Sequence, residues 1–492
     1  MKLSLLLNNV VFSVIKGNTD IDINHLVYDS RKVEQGDVFV CLKGYNVDAH
    51  KFADDASKKG AAAVILSDEL PVSCGTVIKV DDTRKALAQL SANYFGTPAN
   101  DIEFKIALTG TKGKTTTTAM IKSILEAAGI KTGTIGTLGI VIGDNIYKTN
   151  NTTPESFEIQ QAMRKMADEG CRALVIEASS LGLKWHRTDA VNYDIGVFTN
   201  FSDDHIGDGE HATLEEYLEC KKLLFKQCAL GIINRDCTVY DEVIKDAKCP
   251  METFGFDESC DVYASNGELT RKPGFLGVTF DVGGYDSYKV NVGIPGKFNI
   301  YNALAAIAVC RHCGADRDAI QAGLERARVK GRVEPVETGG DYTLLIDYAH
   351  NALSMENVLT TLRKYEPNRL ITLFGAGGNR PKIRRYEMGE TSGRLSDLSV
   401  ITEDNSRFED VNDIIEDIKV GLAKTDGKYV VIPNRRDAIE YCIKNAQPGD
   451  IIVLAGKGHE DYQEIKGVKY HMDEREIVAD ILNSAVSQVI PE

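Results

Sequence analysis

The amino-acid sequence predicts an α/β protein of three domains with mostly parallel sheets. Three observations support this prediction. The 492 residues are enough for about three domains of ordinary size. An apolar run at residues 104–108 leads through a glycine-rich loop into a helical pattern at 119–128. From residue 332 onward, short apolar runs alternate with helical patterns, which is typical of a doubly wound parallel sheet.

The first domain is predicted to span residues 1–100 and to be an α/β unit. Apolar runs at residues 38–42 and 62–66 are typical of buried strands. The spacing at residues 83–95 predicts a helix, and the stretch 96–100, which contains Gly and Pro, predicts a linker to the next domain.

The second domain is predicted to span residues 101–331 and begins with the strand and glycine loop. Further strands are predicted at residues 173–177 and 195–199. The polar, Gly-rich stretch 253–296 predicts an added segment rich in β-structure.

The third domain is predicted to span residues 332–492. Ligands of doubly wound sheets bind beyond the carboxyl ends of the strands, where Asp347, Gly375, Asp404 and Gly456 fall. The predicted strands lie at residues 342–346, 370–374, 398–402, 429–432 and 451–454.

Composition narrows the possible functions. The net charge of −15 provides no broad basic surface, so a general nucleic-acid binder is disfavoured. No apolar run is long enough for a membrane span, and residues 1–7 are too short for a signal peptide. The 11 cysteines are scattered, and the pair Cys310 and Cys313 lies in an apolar helical run, which favours reduced thiols in a helix core over a metal or redox site. We therefore expect a cytoplasmic protein.

The glycine loop has the pattern of a phosphate-binding loop. In such loops, backbone N–H groups and the N-terminus of the following helix face the anion. Lys114 can contact the outer phosphates, and Thr115 can bind Mg²⁺. The sequence therefore predicts that the protein uses a nucleoside triphosphate. The loop residues are Gly110, Thr111, Lys112, Gly113, Lys114, Thr115 and Thr116.

Three residues of the second domain can take part in the chemistry, and each has a plainer alternative. Glu177 ends a predicted strand and can hold Mg²⁺ opposite Thr115, or cap the next helix. His205 follows the next strand and can bind a metal or a phosphate, or have a structural role. From its spacing alone, Lys221 is predicted to be a surface lysine on an amphipathic helix.

Polar clusters offer further contacts to a ligand. Asn151-Thr152-Thr153-Pro154 precedes a helix and can bind a ligand or cap that helix. A second cluster can bind a phosphate or carboxylate, or form a solvated turn; it consists of Lys184, His186 and Arg187. In the third domain, Arg407 can bind a carboxylate through two hydrogen bonds, and Glu460 can bind an ammonium group.

Taken together, these segments resemble the Mur ligases, most closely the branch that adds the third residue of the peptidoglycan stem peptide. The match runs in chain order through nearly the whole sequence. It comprises residues 28–31, 36–39, 109–116, 151–154, 177–180, 204–205, 221, 296–299, 302–303, 331–332, 347–350, 404–405 and 456–460.

The resemblance implies an N-terminal domain for uridine diphosphate, a central domain for ATP and a Rossmann-like C-terminal domain for the incoming amino acid. It places the nucleotide sugar near Ser30, Tyr45 and Asn46. The muramoyl-peptide would lie near Asn151, Thr152, Thr153, Ser179 and Arg187, and ATP near the phosphate loop, Asn302, Arg332, Asp347 and His350.

The resemblance also implies a magnesium site and a modified lysine. Thr115, Glu177 and His205 become groups for Mg²⁺ or phosphate, and Lys114 becomes catalytic. Lys221 matches a lysine that the family carbamylates to N6-carboxylysine, an anion that can hold Mg²⁺. This role replaces the surface lysine that the spacing predicts.

The third residue of the stem peptide in this family is meso-diaminopimelate or L-lysine. Only diaminopimelate has a second carboxylate that needs a cation, and Arg407 favours it. The usual proline of that loop is Ser406, so L-lysine stays an alternative. Lys112, Leu181 and Trp185 also depart from the common family residues. The amino-acid site implied by the resemblance is Arg385, Asp404, Asn405, Ser406, Arg407, Gly456 and Glu460.

We therefore predict an ATP-dependent amide ligase that works through an acyl phosphate, with small-molecule substrates, no membrane span and a monomeric state. A folylpolyglutamate synthase has a similar phosphate loop and is the nearest alternative among enzymes. A nucleotide-binding regulatory protein without activity is a further alternative, which the retained Lys114, Glu177, His205 and Lys221 disfavour.

Overall fold

A computed structural model describes residues 1–44, 47–203, 206–207, 210–272 and 275–487. The chain forms two compact units, Met1–Tyr263 with Leu304–Gly323, and Ala264–Ala303 with Leu324–Glu492. The α/β class predicted from the sequence is confirmed, whereas the domain boundaries at residues 100 and 331 stay predictions.

The first sheet has five short strands in the order β1-β5-β4-β3-β2, with β1 antiparallel to β5 and the others parallel. Its central strands are buried on both faces, which explains the continuous apolar runs of the sequence. The strands are β1 Ser13–Lys16, β2 Leu26–Val27, β3 Val38–Val40, β4 Ala63–Leu66 and β5 Thr76–Lys79. The helices are α1 Leu3–Leu6, α2 Ala53–Lys58 and α3 Thr83–Tyr94, with 3-10 turns at Ala49–Phe52 and Pro98–Asp101.

The second sheet of this unit contains the phosphate loop. Eight of its strands, all within this unit, run in the order β13-β12-β11-β6-β10-β7-β8-β9, and β6 lies between β10 and β11 with all three parallel. The carboxyl ends of these three strands therefore meet at one edge. The strands are β6 Phe104–Thr109, β7 Thr132–Gly136, β8 Gly139–Ile142, β9 Asn145–Tyr147, β10 Ala173–Glu177, β11 Tyr193–Phe198, β12 Cys228–Asn234 and β13 Met251–Gly255.

Helices of the first unit connect these strands. Helix α4 begins directly after the phosphate loop, and α7 continues into a 3-10 turn at Leu223–Lys226. The helices are α4 Lys114–Ala127, α5 Ser156–Asp168, α6 Ser180–Lys184, α7 Leu214–Lys222 and α8 Tyr240–Asp246. Strand β14 (Val262–Lys272) and helices α9 (Asn299–His312) and α10 (Arg317–Arg326) contain residues of both units.

The second unit contains a six-stranded sheet in the order β17-β18-β22-β19-β20-β21, in which only β17 is antiparallel. Its strands are β17 Glu334–Val336, β18 Thr343–Asp347, β19 Leu370–Phe374, β20 Leu398–Ile401, β21 Tyr429–Val431 and β22 Ile451–Ala455. Its helices are α11 Ala352–Arg363, α12 Lys382–Leu395, α13 Val411–Leu422, α14 Arg435–Lys444 and α15 Glu474–Ser487. Strands β15 Phe275–Gly284 and β16 Tyr288–Val292 pair antiparallel, as do β23 Tyr462–Ile465 and β24 Val468–His471.

Alternate residues of the six-stranded sheet enter two separate apolar cores. Leu345 and Val453 belong to the core that contains residues of α11, α12 and α13. Leu344 and Leu454 belong to the core that contains residues of α14 and α15. Because successive side chains of a strand point to opposite faces, helices cover both faces of this sheet, and it is doubly wound as predicted.

Two local predictions differ from the structure. The helix predicted from residue 119 begins five residues earlier, at Lys114, because Gly113 caps it and its first turn is polar and lacks an apolar stripe. The predicted linker at 96–100 overlaps the 3-10 turn Pro98–Asp101. Within the part of the chain that the structure describes, no helix is both long and apolar enough to cross a membrane.

Helices α12 and α13 pack through glycines, and this contact yields a stability prediction. A Cβ at Gly421 would lie 1.8 Å from the Tyr386 carbonyl oxygen. We expect Gly421→Ala to lower the free energy of unfolding by about 1–3 kcal/mol, because the two helices must separate. Urea denaturation measures this. The control is Gly75→Ala, where nothing lies within 4 Å of the added carbon. Equal stability of the two variants would contradict the prediction.

Candidate active site

The phosphate loop turns sharply between β6 and α4. Gly110 has φ +139° and Gly113 has φ +86°, a region that L-residues with a side chain rarely adopt. A Cβ at Gly110 would lie 2.1 Å from Thr199 Oγ1, so the loop also approaches the end of β11 too closely for a larger residue. The glycines of the motif are therefore required by this backbone path.

Two residues after β11 hold the loop in place. Thr199 Oγ1 donates to the Lys112 carbonyl at 2.7 Å. The Asn200 amide accepts from Lys112 N at 2.8 Å and donates to the Lys112 carbonyl at 2.9 Å. Sequence reasoning assigned no role to Thr199 and Asn200. The only feature of the sequence that could have indicated this role is their position at the carboxyl end of the neighbouring strand.

Two lysines contact the same carbonyl oxygen of the loop. Lys114 Nζ donates to Gly110 O at 2.8 Å, and Lys221 Nζ donates to it at 2.9 Å. Lys221 is 1% exposed, and its Nζ lies 4.2 Å from the centre of the Tyr217 ring. The prediction of a surface lysine is therefore wrong. The helical pattern around residue 221 did not reveal that α7 directs this side chain to the loop.

Glu177 forms the acidic side of the same cluster. Its carboxylate accepts from Thr115 Oγ1 at 2.9 Å, from Thr137 N at 3.0 Å and from Thr137 Oγ1 at 3.1 Å. Burial raises the pKa of Glu177, while these donors and the Lys114 charge act to lower it. The alternative role as a helix cap is wrong, because Ser179 caps α6 through Gly182 N.

The oxygen donors around Glu177 fit a hard divalent cation. A carboxylate and a threonine hydroxyl lie together beside the N-terminus of α4, and both are ligands that Mg²⁺ accepts. His205, the predicted fourth group, lies outside the described residues, as do Tyr45 and Asn46 of the predicted nucleotide-sugar site.

The predicted muramoyl-peptide residues form a connected network next to Glu177. Thr153 Oγ1 donates to the Glu177 carbonyl at 2.8 Å and accepts from Ser179 N at 2.9 Å. Arg187 donates to the Thr153 carbonyl at 3.1 Å, and the hydroxyls of Thr152 and Thr137 are 3.3 Å apart. The capping alternative for residues 151–154 is wrong, since the N-cap of α5 is Glu155.

Arg84, which sequence reasoning missed, lies beside this network together with the predicted Arg187. Glu155 bridges Arg84 at 2.9 Å and Arg187 at 2.9 Å. The same two guanidinium carbons lie 4.4 Å and 5.5 Å from the centre of the Trp185 ring. The cluster Lys184, His186 and Arg187 does not act as one group: Lys184 pairs with Glu216 and His186 with Asp189.

A cavity of about 520 Å³ adjoins these residues in the first unit. It is lined by Asn151 and Glu155, and also by Tyr28 and Glu158, whose side chains hydrogen-bond to each other. Burial raises the pKa of Glu158. Ser30 lies two residues from Tyr28, and its carbonyl accepts from Lys59 Nζ at 2.7 Å.

Four predicted ATP residues belong to the second unit. Asp347 accepts from Ala349 N and Val333 N, both at 2.7 Å, and burial raises its pKa. The remaining three have their own partners. His350 Nδ1 lies 2.7 Å from the Tyr348 carbonyl oxygen, and the Arg332 guanidinium lies 5.5 Å from the centre of the Tyr348 ring. Asn302 Nδ2 donates to Asn299 Oδ1 at 2.8 Å.

The predicted amino-acid residues surround a cavity of about 120 Å³ in the second unit. Ser406 is buried within the same loop. Sequence reasoning missed the role of Lys457, which is fully buried and donates to Glu460 at 2.7 Å and to Asn405 at 2.9 Å. The predicted residues that line the cavity are Arg385, Asp404, Asn405, Arg407, Gly456 and Glu460.

The two arginines of this cavity differ in their partners. Arg385 is 1% exposed and donates to Glu409 and Asp417, both at 2.8 Å. Arg407 donates to the Gly378 carbonyl at 3.0 Å and makes a longer contact of 3.4 Å with Glu464. Arg407 is therefore less fully paired with protein carboxylates than Arg385.

Comparison with known proteins gives a consistent result along the chain. Residues 22–95 match the Mur ligase family, catalytic domain; residues 108–310 match the Mur ligase middle domain; and residues 331–458 match the Mur ligase, glutamate ligase domain. Among curated relatives, the UDP-N-acetylmuramoyl-L-alanyl-D-glutamate–2,6-diaminopimelate ligases of Caldanaerobacter subterraneus and Clostridium perfringens are each 41% identical. The alignments cover 95% and 98% of this chain and 96% and 99% of the relatives.

A solved structure of a UDP-N-acetylmuramoyl-L-alanyl-D-glutamate–2,6-diaminopimelate ligase is similar over its whole length. Its TM-score is 0.74 at 29% sequence identity, with 99% of each chain covered.

The pair of His186 and Asp189 predicts a pH-dependent stability. The Nδ1–Oδ2 distance is 2.7 Å, and this contact raises the pKa of His186. The stabilisation is present below the ordinary histidine pKa of 6.5 and is lost as pH rises through the raised value. We expect His186→Asn to be less stable than the wild type at acid pH, with the difference shrinking above neutral pH. Asn tolerates the left-handed φ of +56°.

Denaturation midpoints at several pH values test this expectation. A difference between His186→Asn and the wild type that stays constant from about pH 5.5 to pH 9 would show that the imidazolium charge plays no part.

Proposed function

The chain belongs to the Mur ligase family, and we propose that it joins meso-diaminopimelate to UDP-N-acetylmuramoyl-L-alanyl-D-glutamate at the expense of ATP. The observation that carries this proposal is the cavity that holds both Arg407 and Glu460. A guanidinium suits the second carboxylate of diaminopimelate, and a carboxylate suits an ammonium group. The curated relatives that are 41% identical carry the name of the same activity.

The first step activates an inert acid. The γ-carboxylate of D-glutamate attacks the γ-phosphorus of ATP, the bond to the bridging oxygen breaks, and an acyl phosphate and ADP result. The N-terminus of α4 and Lys114 stabilise the negative charge of the transferring group. Mg²⁺, held by Thr115, Glu177 and a carbamylated Lys221, would neutralise further phosphate charge.

The second step forms the amide. The neutral amine of diaminopimelate attacks the acyl carbon, phosphate leaves with the electrons of the C–O bond, and the nitrogen loses a proton. Arg407 and Glu460 orient the amino acid for this attack, which reduces the entropy of the reacting pair. Because water would also attack the acyl phosphate, the reaction requires a site that excludes solvent.

The partners in this proposal are small molecules. The enzyme acts on a nucleotide-linked dipeptide, ATP and a diamino acid, and we place this reaction in the cytoplasm. We propose that it functions as a monomer, without nucleic acid.

Substrate discrimination tests the proposal directly. Purified enzyme with ATP and UDP-N-acetylmuramoyl-L-alanyl-D-glutamate should release phosphate on addition of meso-diaminopimelate, and mass measurement should find the tripeptide product. L-Lysine should react at least about tenfold less efficiently, because Arg407 would then lack its carboxylate. Efficient turnover with L-lysine alone would contradict the assignment of Arg407.

The phosphate loop can be tested in the same assay. Lys114→Ala should abolish turnover with either amino acid.

Carbamylation of Lys221 has its own test. We expect Lys221→Ala to lose at least about a hundredfold in kcat, since the ligand for Mg²⁺ is removed. Short carboxylic acids should restore part of the activity by supplying a carboxylate in the space left behind. Lys222→Ala, at the neighbouring buried lysine that pairs with Glu219 and Asp246, is the control and should not respond to added acids. Absence of rescue in Lys221→Ala would count against the carbamate.

A further inference from the structure

The loop that carries Arg407 is bound to the hairpin formed by β23 and β24. Arg407 N donates to the Glu464 carbonyl at 3.0 Å, and Lys466 N donates to the Arg407 carbonyl at 2.5 Å. Glu464 N donates to Asn405 Oδ1 at 2.8 Å, and Gln463 Nε2 donates to the Asp404 carbonyl at 3.3 Å. The loop and the hairpin therefore share a short stretch of parallel β-pairing.

This pairing holds Arg407 in an unfavourable backbone conformation. Its φ is +53°, in the left-handed region that a residue with a long side chain rarely adopts. Such a conformation persists only where surrounding contacts determine it. The two backbone hydrogen bonds to the hairpin meet this requirement, together with the close approach of the Ser406 carbonyl to Gly378, where a Cβ would lie 1.9 Å from the oxygen.

The Arg407 side chain is held at two points. Its Nη1 donates to the Gly378 carbonyl at 3.0 Å, and its Nε lies 3.4 Å from Glu464 Oε2. Among the residues that the structure describes, Nη2 has no hydrogen-bond partner. Because Nε and Nη1 are both held by the protein, the hydrogens of Nη2 stay available as donors for a second carboxylate.

The hairpin also connects the two charged groups of the cavity. Glu460 lies two residues before β23, and Glu464 lies within it. Glu460 is fixed by Lys457 at 2.7 Å and Asn405 at 3.0 Å. A single extended segment therefore sets the spacing between the carboxylate for an ammonium group and the arginine for a distant carboxylate.

We propose that Glu464 is a positioning residue that fixes Arg407 for the second carboxylate of the diamino acid. The proposal rests on the proposed function. In this loop Ser406 stands where the family resemblance expects proline, and the hairpin supplies the constraint that a proline ring would give. Glu464 is not among the residues that line the cavity, so it acts through Arg407, which is.

Steady-state kinetics of four proteins test this role. We expect Glu464→Ala to raise KM for meso-diaminopimelate by about tenfold, the effect of one lost charge-assisted hydrogen bond. The kcat and the KM values for ATP and the nucleotide dipeptide should stay within about twofold, because the phosphate loop is untouched. Glu464→Gln should recover part of the loss, since its amide oxygen still accepts from Nε. The control is Glu440→Ala, which removes a carboxylate from the exposed ion pair with Lys444.

A double-mutant cycle with Arg407→Ala distinguishes positioning from general loosening. If Glu464 acts through Arg407, Glu464→Ala added to Arg407→Ala should change KM for diaminopimelate by less than about twofold. Additive effects, or an unchanged or lower KM in Glu464→Ala and Glu464→Gln, would overturn the proposal. Failure of the proposed function is a separate outcome, because the wild type itself would then form no amide with any diamino acid.

Discussion

The geometry of the active site depends on one carbonyl oxygen, that of Gly110. It accepts from Lys114, which belongs to the phosphate loop, and from Lys221, which α7 brings from over a hundred residues later in the chain. Two ammonium groups at one oxygen repel each other, and the proposed carbamylation of Lys221 would remove this repulsion by converting one of the two cations into an anion. Gly110 must be glycine for this oxygen to lie here, because the end of β11 leaves no space for a side chain.

In both units, a buried charged side chain is stabilised by hydrogen bonds and by groups of opposite charge. In the first unit, buried Glu177 accepts from the hydroxyls of Thr115 and Thr137, and the charge of Lys114 stabilises its carboxylate. In the second unit, Lys457 is fully buried and donates to Glu460 and Asn405. Pre-organised charges of this kind lose little free energy to rearrangement during catalysis.

Local patterns predicted much of the fold. Strands such as β19 and β22 are buried on both faces, so they are continuous apolar runs in the sequence and were found within about one residue. The phosphate loop was found because strand, glycines, lysine and helix are adjacent in the chain. The start of α4 was missed, since its threonines carry no apolar periodicity.

Local sequence patterns could not predict contacts between segments that are far apart in the chain. Helical spacing predicted that Lys221 lies at the surface, whereas it is buried. Only the family resemblance suggested a role for it. Position after a strand suggested Glu177 as a cap, although the cap is Ser179, two residues later. Thr199 and Asn200 bond to the backbone of Lys112, and Glu464 bonds to Asn405 and Arg407. Nothing in the sequence next to these three residues indicates such distant partners.

Trp185 is the single tryptophan of the chain, and two guanidinium groups lie close to its ring. All indole fluorescence of the protein therefore originates from one ring whose emission is sensitive to nearby cations. A carboxylate or diphosphate that draws Arg84 or Arg187 away from this ring would alter its quenching. The enzyme thus carries an intrinsic optical reporter beside Thr153 and Glu155, without any label.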